Sequence, residues 1–190
     1  MARHAQAGDQ VLALHFTRGG LGARGREPKE VERLRTEEAK VVCRMLGVEP
    51  LFFDFPDGSL EVCSATVDAF RTLLAQHPPD LLLAHWPLDT HPDHQAVGVI
   101  ALRAWVAAGG AFPLHFYEAE TGYQSLHFVP NLYVDITKTT SLKRQALMAY
   151  VVSGVEHWYP LHERMESFRG IEARVDRAEA FVVAQYRMAT

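Results

Sequence analysis

The chain has 190 residues, enough for one domain around a single core, and its 48% hydrophobic and 22% charged content is ordinary for a globular protein. A formal net charge of −4 excludes the basic field that nucleic acid or an anionic membrane surface would attract, and no apolar run is long enough to span a bilayer. Two cysteines, Cys43 and Cys63, make no disulfide framework. Reduced thiols in a cytoplasmic protein are therefore expected, and the polar Ala2-Arg3-His4-Ala5-Gln6 after Met1 is unlike a secretory leader. Ten histidines stand out, because imidazole is the commonest metal ligand and titrates near neutrality.

In chain order, Arg3-His4-Ala5-Gln6-Ala7 followed by Gly8 reads as the last turn of a helix closed by its glycine. So short a helix does not nucleate alone, and in a β-α-β unit a strand is expected before it. Val11–Phe16 is a nearly continuous apolar run, the mark of a strand buried on both faces. A loop rich in glycine and arginine follows from Thr17 to Glu27, and Pro28 suits the first turn of a helix. Val31, Leu34, Val42, Met45 and Leu46 recur at helical spacing before Gly47, placed to cap the end. Leu51–Phe55 reads as a strand closed by the turn Pro56-Asp57-Gly58, and Val67, Phe70 and Leu74 mark another amphipathic helix. Asp80–Trp86 is a third apolar strand. Beyond it the pattern predicts a helix from about His94 to Ala107, strands at Leu114–Glu118 and Leu132–Ile136, and helices at Leu142–Val151 and Ala173–Tyr186. Strand alternating with helix implies one α/β domain spanning residues 1–190, an open sheet with helices on both faces.

The stretch with most chemistry is Leu88-Asp89-Thr90-His91-Pro92-Asp93-His94. It follows the third strand and opens a helix, and ligands of open α/β sheets bind at the carboxyl ends of strands. Two imidazoles and two carboxylates within six residues are the residue types of a zinc ligand and its supporting groups. His91 and His94, three apart, face similar directions on a first helical turn. Asp93 at the helix start also favours the N-terminal amides, so a plain helix cap is the simplest account of that residue.

On these residues the chain resembles the PIG-L/LmbE family of zinc-dependent N-deacetylases, whose members hydrolyse N-acetyl groups from amino sugars and related amides. The resemblance runs through Thr17-Arg18-Gly19-Gly20-Leu21-Gly22, Arg35-Thr36-Glu37-Glu38-Ala39 and Leu46-Gly47. It continues in Phe55-Pro56-Asp57-Gly58, His91-Pro92-Asp93-His94, Tyr133-Val134-Asp135-Ile136-Thr137, Lys143 and Ala178-Glu179-Ala180-Phe181. It implies a Rossmann-like LmbE-type fold with a mostly parallel sheet. It further implies His94 as a ligand of one zinc ion, His91 as the catalytic group that steadies the tetrahedral oxyanion or moves a proton, and Asp93 as the residue orienting His91. Arg35 is implied in substrate binding, where a guanidinium fork can hold hydroxyls or an anionic group; a solvated helix charge is its bland alternative. The substrate class implied is a small N-acetylated sugar or sugar conjugate, with neither nucleic acid nor membrane as partner, and a homo-oligomer is compatible with it.

One signature of the family does not occur. The Ala-His-Pro-Asp-Asp segment, which follows the family's first strand and carries a histidine ligand, a carboxylate ligand and the general base, has no counterpart here. The resemblance therefore implies an N-terminally truncated domain lacking its first strand, with the remaining zinc ligands in the missing segment. Taken literally, such a chain is inactive and poorly stable, since a catalytic zinc takes three protein ligands. Three explanations are open: a start placed too late or a truncation, a pseudoenzyme kept as a binding module, or replacement ligands drawn from His15, His85 or His115. Late in the chain Ser153-Gly154 stands where many relatives carry serine-glutamine, which touches a loop contact and not the reaction.

A rival of another class is a dinucleotide-binding protein, since Gly20-Leu21-Gly22-Ala23-Arg24-Gly25 matches G-x-G-x-x-G after a strand. Against it, Arg26-Glu27-Pro28 delays the helix that the third glycine should already have entered. Glu49 precedes the second strand instead of ending it, and Asp54 lies farther along than the ribose-binding carboxylate should.

Overall fold

A computed structural model describes residues 1–119 and 123–185. In chain order the elements are α1 (Ala2–Ala7), β1 (Leu12–Thr17), α2 (Pro28–Leu46), β2 (Glu49–Phe55), α3 (Ser64–Gln76), β3 (Leu82–His85), α4 (Pro92–Ala107), β4 (Leu114–Tyr117), β5 (Leu132–Asp135), α5 (Thr140–Met148), α6 (Val155–Ala173) and β6 (Ala178–Val183). The α/β expectation holds. Contacts gather these elements into two compact units, Met1–Gly58 with Asp135–Ala178, and Ser59–Val134 with Glu179 onwards.

The first unit is built on the parallel pair β1–β2, with Leu12 opposite Glu49 and His15 opposite Phe52. The apolar run of β1 is satisfied there by aromatic packing: Phe16 meets Phe53 edge-on at 5.4 Å between centroids. Helix α2 starts where Pro28 predicts, because proline has no N–H to leave unpaired. Glu27 caps it by accepting from the Glu30 N–H at 3.1 Å, and Gly47 closes it at φ 70°. Helices α2 and α5 pack together, and the Glu38 carboxylate on α2 accepts from the Val152 N–H at 2.9 Å.

The second unit carries a sheet in the order β3-β4-β6-β5. β3 pairs parallel to β4, with His85 opposite Tyr117, while β6 runs antiparallel to β4. On its other edge, the Asn131 N–H donates to Phe181 O at 3.0 Å. The sheet is thus mixed where a mostly parallel one is expected. Ile100 of α4 and Leu114 of β4, both fully buried, mark its core. Each such side chain stabilises the fold by about 1.5–3 kcal/mol relative to exposure. Among the described residues β1 pairs with β2 and β3 with β4, and no other strand neighbour of either is present.

The chain's last third departs from the periodicity reading. A helix over Ala173–Tyr186 does not form: α6 ends at Ala173, Arg174 turns at φ 59°, and Ala178–Val183 is strand β6. Tyr186 lies outside the described residues. Alanines favour helix when nothing else decides. Here Ala178 and Ala180 are buried with Glu179 between them, the alternation of a strand seated in a sheet. Gly170 makes the turn back feasible, since a Cβ there would lie 2.6 Å from Asp176 O. Helix α6 itself escapes a sequence reading because Pro160 stands inside it and its faces mix polar and apolar residues.

Candidate active site

In the second unit, β3 ends at His85 and the chain turns through 86–90 into α4. His91 is the N-cap of that helix, extended at φ −90°, ψ 125°, and its Nδ1 accepts from the Asp93 N–H at 3.2 Å. Pro92 occupies the first helical position. The Asp93 carboxylate is 6% exposed and accepts from the Leu60 N–H at 3.0 Å, so it ties the helix start to the segment before α3. The capping expected of Asp93 is done by His91, and Asp93 meets His91 through its own backbone N–H. Gly98 allows α4 to lie against the end of β3: a Cβ there would sit 2.6 Å from His85 O and 3.0 Å from Pro87 Cα.

His94 stands one turn on, its ring 4.7 Å from His91 and 4.2 Å from His85, with planes tilted by 28° and 25°. Its Nδ1 is 3.3 Å from Asp89 Oδ2 and 3.2 Å from Gln124 Nε2. Asp89 is 1% exposed. Its Oδ1 accepts from the His91 N–H at 2.7 Å and from Gln124 Nε2 at 3.1 Å. Gln124 reaches the motif because its loop is laced to it: Leu126 N–H donates to Leu88 O at 2.7 Å and Thr90 N–H to Gln124 O at 2.9 Å. The Trp86 indole N–H adds a bond to Leu126 O at 2.8 Å.

The imidazoles lie in a desolvated setting. Burial pulls the His85 pKa down to about 3, helped by repulsion from His94 and His91, so His85 is neutral at physiological pH. The Tyr117 hydroxyl is 3.1 Å from its Nδ1. Burial also lowers the His94 pKa, against the opposing pull of the Asp89 carboxylate. Asp89, Gln124, His85 and Tyr117 therefore cluster with His91, Asp93 and His94 at the candidate site. Asp89 stands inside the motif and could have been found there; Gln124 joins through a loop 30 residues away.

In the first unit, Arg35 projects from α2 into the glycine-rich loop and donates from Nη1 to Gly19 O at 3.0 Å. The loop wraps over the guanidinium so closely that a Cβ on Gly22 would lie 2.3 Å from Nη1, and one on Gly19 2.2 Å. Around Gly25 a Cβ would meet nothing within 4 Å. Gly19 and Gly22 thus make room for Arg35, and Gly20 for Glu32, whose Cγ would lie 2.9 Å from a Cβ there, which accounts for the close approaches without a pyrophosphate. His15, within β1, stacks on Phe52 at 4.9 Å. Burial lowers its pKa to about 4, with further repulsion from Arg35 and Arg18.

Residues 1–105 of the chain match the PIG-L family, described as GlcNAc-PI de-N-acetylase. The chain belongs to the PIG-L family. It is 28% identical over 161 residues to a diacetylchitobiose deacetylase of Thermococcus kodakarensis, a match covering 76% of this chain and 59% of that protein. The chain thus spans about three-fifths of the length of the curated relative it matches. Its fold is similar to GalB, the 4-carboxy-2-hydroxymuconate hydratase from Pseudomonas putida KT2440, at TM-score 0.87 and 22% identity over 100% of this chain and 90% of that one. It is also similar to the N,N′-diacetylchitobiose deacetylase from Pyrococcus horikoshii, at TM-score 0.83 and 21% identity over 96% of this chain and 76% of that one. A hydratase and a deacetylase are both similar to this fold, so the fold by itself does not choose the reaction.

PIG-L deacetylases are generally metal-dependent. A catalytic zinc takes three protein ligands and keeps one position open. Among the described residues no group of three or more His, Cys, Asp or Glu could hold a metal ion. His85, His91 and His94 are close, but their rings stack, which sets their in-plane lone pairs side by side and not toward one point. Neither His15 nor His115, which lies 6.2 Å from the Phe181 ring, completes such a group. The described residues do not fit a whole zinc centre: of the expected ligands only His94 stands among them.

Proposed function

We propose that this PIG-L chain is a hydrolase that removes the acetyl group from an N-acetylated amino sugar or sugar conjugate, working as one α/β domain in the cytoplasm. The observation that carries the reading is the HPDH helix start inside the family match, with His91 Nδ1 accepting from the Asp93 N–H and His94 Nδ1 3.3 Å from the Asp89 carboxylate. No helix among the described residues is long and apolar enough to cross a membrane, and Cys43 and Cys63 are free thiols.

The reaction adds water to the acetyl carbon, passes through a tetrahedral oxyanion, and breaks the C–N bond to give acetate and a free amine. A neutral imidazole carries one N–H, and His91 accepts a hydrogen bond at Nδ1, so its proton is on Nε2. That N–H is the donor we assign to the oxyanion, whose charge is where a fixed donor acts most strongly. Asp93 holds the helix start on which His91 stands, and Arg35 binds the sugar's hydroxyls in its own unit. His94 is assigned as one zinc ligand.

The test is acetate release from N,N′-diacetylchitobiose and N-acetylglucosamine, followed with bound zinc by elemental analysis. His94→Ala is expected to abolish turnover and zinc retention together. Undiminished deacetylation by that variant refutes the assignment. The one-ligand count favours a second reading, a non-catalytic binding module of the same fold. Zinc near one equivalent in purified protein supports the enzyme, and none supports the module.

A further inference from the structure

We propose that Asp89 is a positioning residue that holds His94 in the tautomer with a bare Nε2, while the helix start holds His91 in the opposite tautomer. The consequence for catalysis rests on the deacetylase reading; the tautomers themselves do not.

Asp89 is a buried acceptor with few donors. Asp89 is 1% exposed, and its Oδ1 is already served by the His91 N–H at 2.7 Å and Gln124 Nε2 at 3.1 Å. Oδ2 is buried and has no hydrogen bond, with His94 Nδ1 facing it at 3.3 Å. A carboxylate only accepts, so this contact is attractive when Nδ1 bears its proton and repulsive, lone pair against lone pair, when it does not. The competing arrangement has Gln124 Nε2 donating to His94 Nδ1 across their 3.2 Å. It would leave a buried carboxylate oxygen with no donor at all, a penalty of about 1–3 kcal/mol or more for a charged group. The proton therefore belongs on Nδ1, and Nε2 of His94 is bare. Nε2 has no partner among the described residues and is not among their buried unpartnered atoms, so it is open to a ligand.

On His91 the order is reversed. Its Nδ1 accepts the Asp93 N–H at 3.2 Å, and a nitrogen that accepts carries no proton. Two rings 4.7 Å apart thus face the same space with different ends: an electron pair on one and an N–H on the other. A bare nitrogen is what a metal-ligating imidazole presents, and a fixed N–H is what an oxyanion needs. Asp89 serves both rings, through Oδ2 to His94 and through Oδ1 to the His91 backbone.

The experiment is long-range proton–nitrogen NMR on histidine-labelled protein, which reports the tautomer of each ring without any activity. The wild type is expected to show Nε2 bare on His94 and Nδ1 bare on His91. Asp89→Asn keeps the shape, places an N–H donor opposite His94 Nδ1, and should move the His94 proton to Nε2 while His91 is unchanged. Its kcat/KM should fall about 10- to 100-fold, the usual cost of losing a partner behind a working histidine. Gln124→Met should leave both tautomers in place. A wild-type His94 with its proton on Nε2, an unchanged His94 in Asp89→Asn, or a flip caused by Gln124→Met instead would each overturn the proposal. If Asp89→Asn fails to fold, the wild-type spectrum still decides. Correct tautomers in a protein that deacetylates nothing would sink the deacetylase reading and leave the positioning role standing.

Discussion

The HPDH turn and the glycine loop each follow a strand and each hold a long polar side chain, but by opposite means. At the HPDH turn the holding is done by hydrogen bonds: His91, Asp93 and Asp89 each bond a backbone N–H, and Asp89 faces the His94 ring. In the glycine loop it is done by space: Gly19 and Gly22 make a slot the width of a guanidinium, and Arg35 has one bond within it, to Gly19 O. Both settings bury polar atoms without hydrogen bonds, Asp89 Oδ2 at the HPDH turn among them. In the unit of Arg35, His15 Nε2, Glu38 Oε2 and Ser153 Oγ are buried without hydrogen bonds. A site set by bonds should fail when a donor or acceptor changes at constant size. A site set by space should fail when size changes at constant polarity.

The largest effect expected from that contrast is at His91. His91→Asn keeps an N-cap side chain that accepts from the helix start but removes the imidazole donor. Its kcat should drop about 10²- to 10³-fold, the range for losing one donor to an oxyanion, with the urea midpoint nearly unchanged. His91→Ala should lose the same activity and about 1 kcal/mol of stability besides, because the cap goes too. Equal activity in His91→Asn and wild type would reduce His91 to a cap.

Size is the next lever, and two glycines separate its outcomes. Gly98→Ala drives a methyl into backbone, 2.6 Å from His85 O, and neither strand end nor helix can step aside cheaply. It should cost about 1–3 kcal/mol in denaturant melts. Gly22→Ala meets the tip of Arg35 instead, 2.3 Å from Nη1, and a side-chain tip can move. Its stability should stay within about 1 kcal/mol of wild type, while KM rises because the displaced fork no longer meets hydroxyls. A fully folded Gly98→Ala with unchanged stability would mean that α4 is less closely seated on β3 than the distances require.

The same contrast explains what could be read beforehand. The HPDH turn was legible because its logic is local: a strand end, a cap, a proline at the first position and paired imidazoles lie within a few residues. Asp89 is two residues before His91 and belongs to that pattern. Gln124 does not, since only the bonds Leu126–Leu88 and Thr90–Gln124 bring its loop there. The glycine loop was legible as a loop and not as a cradle, because its occupant, Arg35, is 16 residues from Gly19. A pattern shared with nucleotide-binding loops says that backbone comes close to something, and only the fold says to what. The elements through α5 follow from periodicity to within a few residues. Strand β6 does not, because Ala178 and Ala180 take their conformation from the flanking strands and not from their own preference.

The smallest effect concerns pH and belongs to the unit of Arg35. His15 titrates near 4 when folded, chiefly because burial disfavours its charged form, against 6.5 for a free histidine. Below 6.5 the unfolded chain takes up a proton that the folded chain refuses, so acid favours unfolding. The contribution is complete above about pH 6.5 and is lost progressively as pH falls toward 4. Between pH 7 and 5.5 the wild type should lose on the order of 1 kcal/mol through this residue. His15→Phe preserves the stack on Phe52 and removes the proton site, so its stability should vary less over that range. If wild type and His15→Phe fall in parallel in urea melts across those pH values, His15 is hydrated in the folded chain, and the cradle around Arg35 is more open to water than its buried atoms suggest.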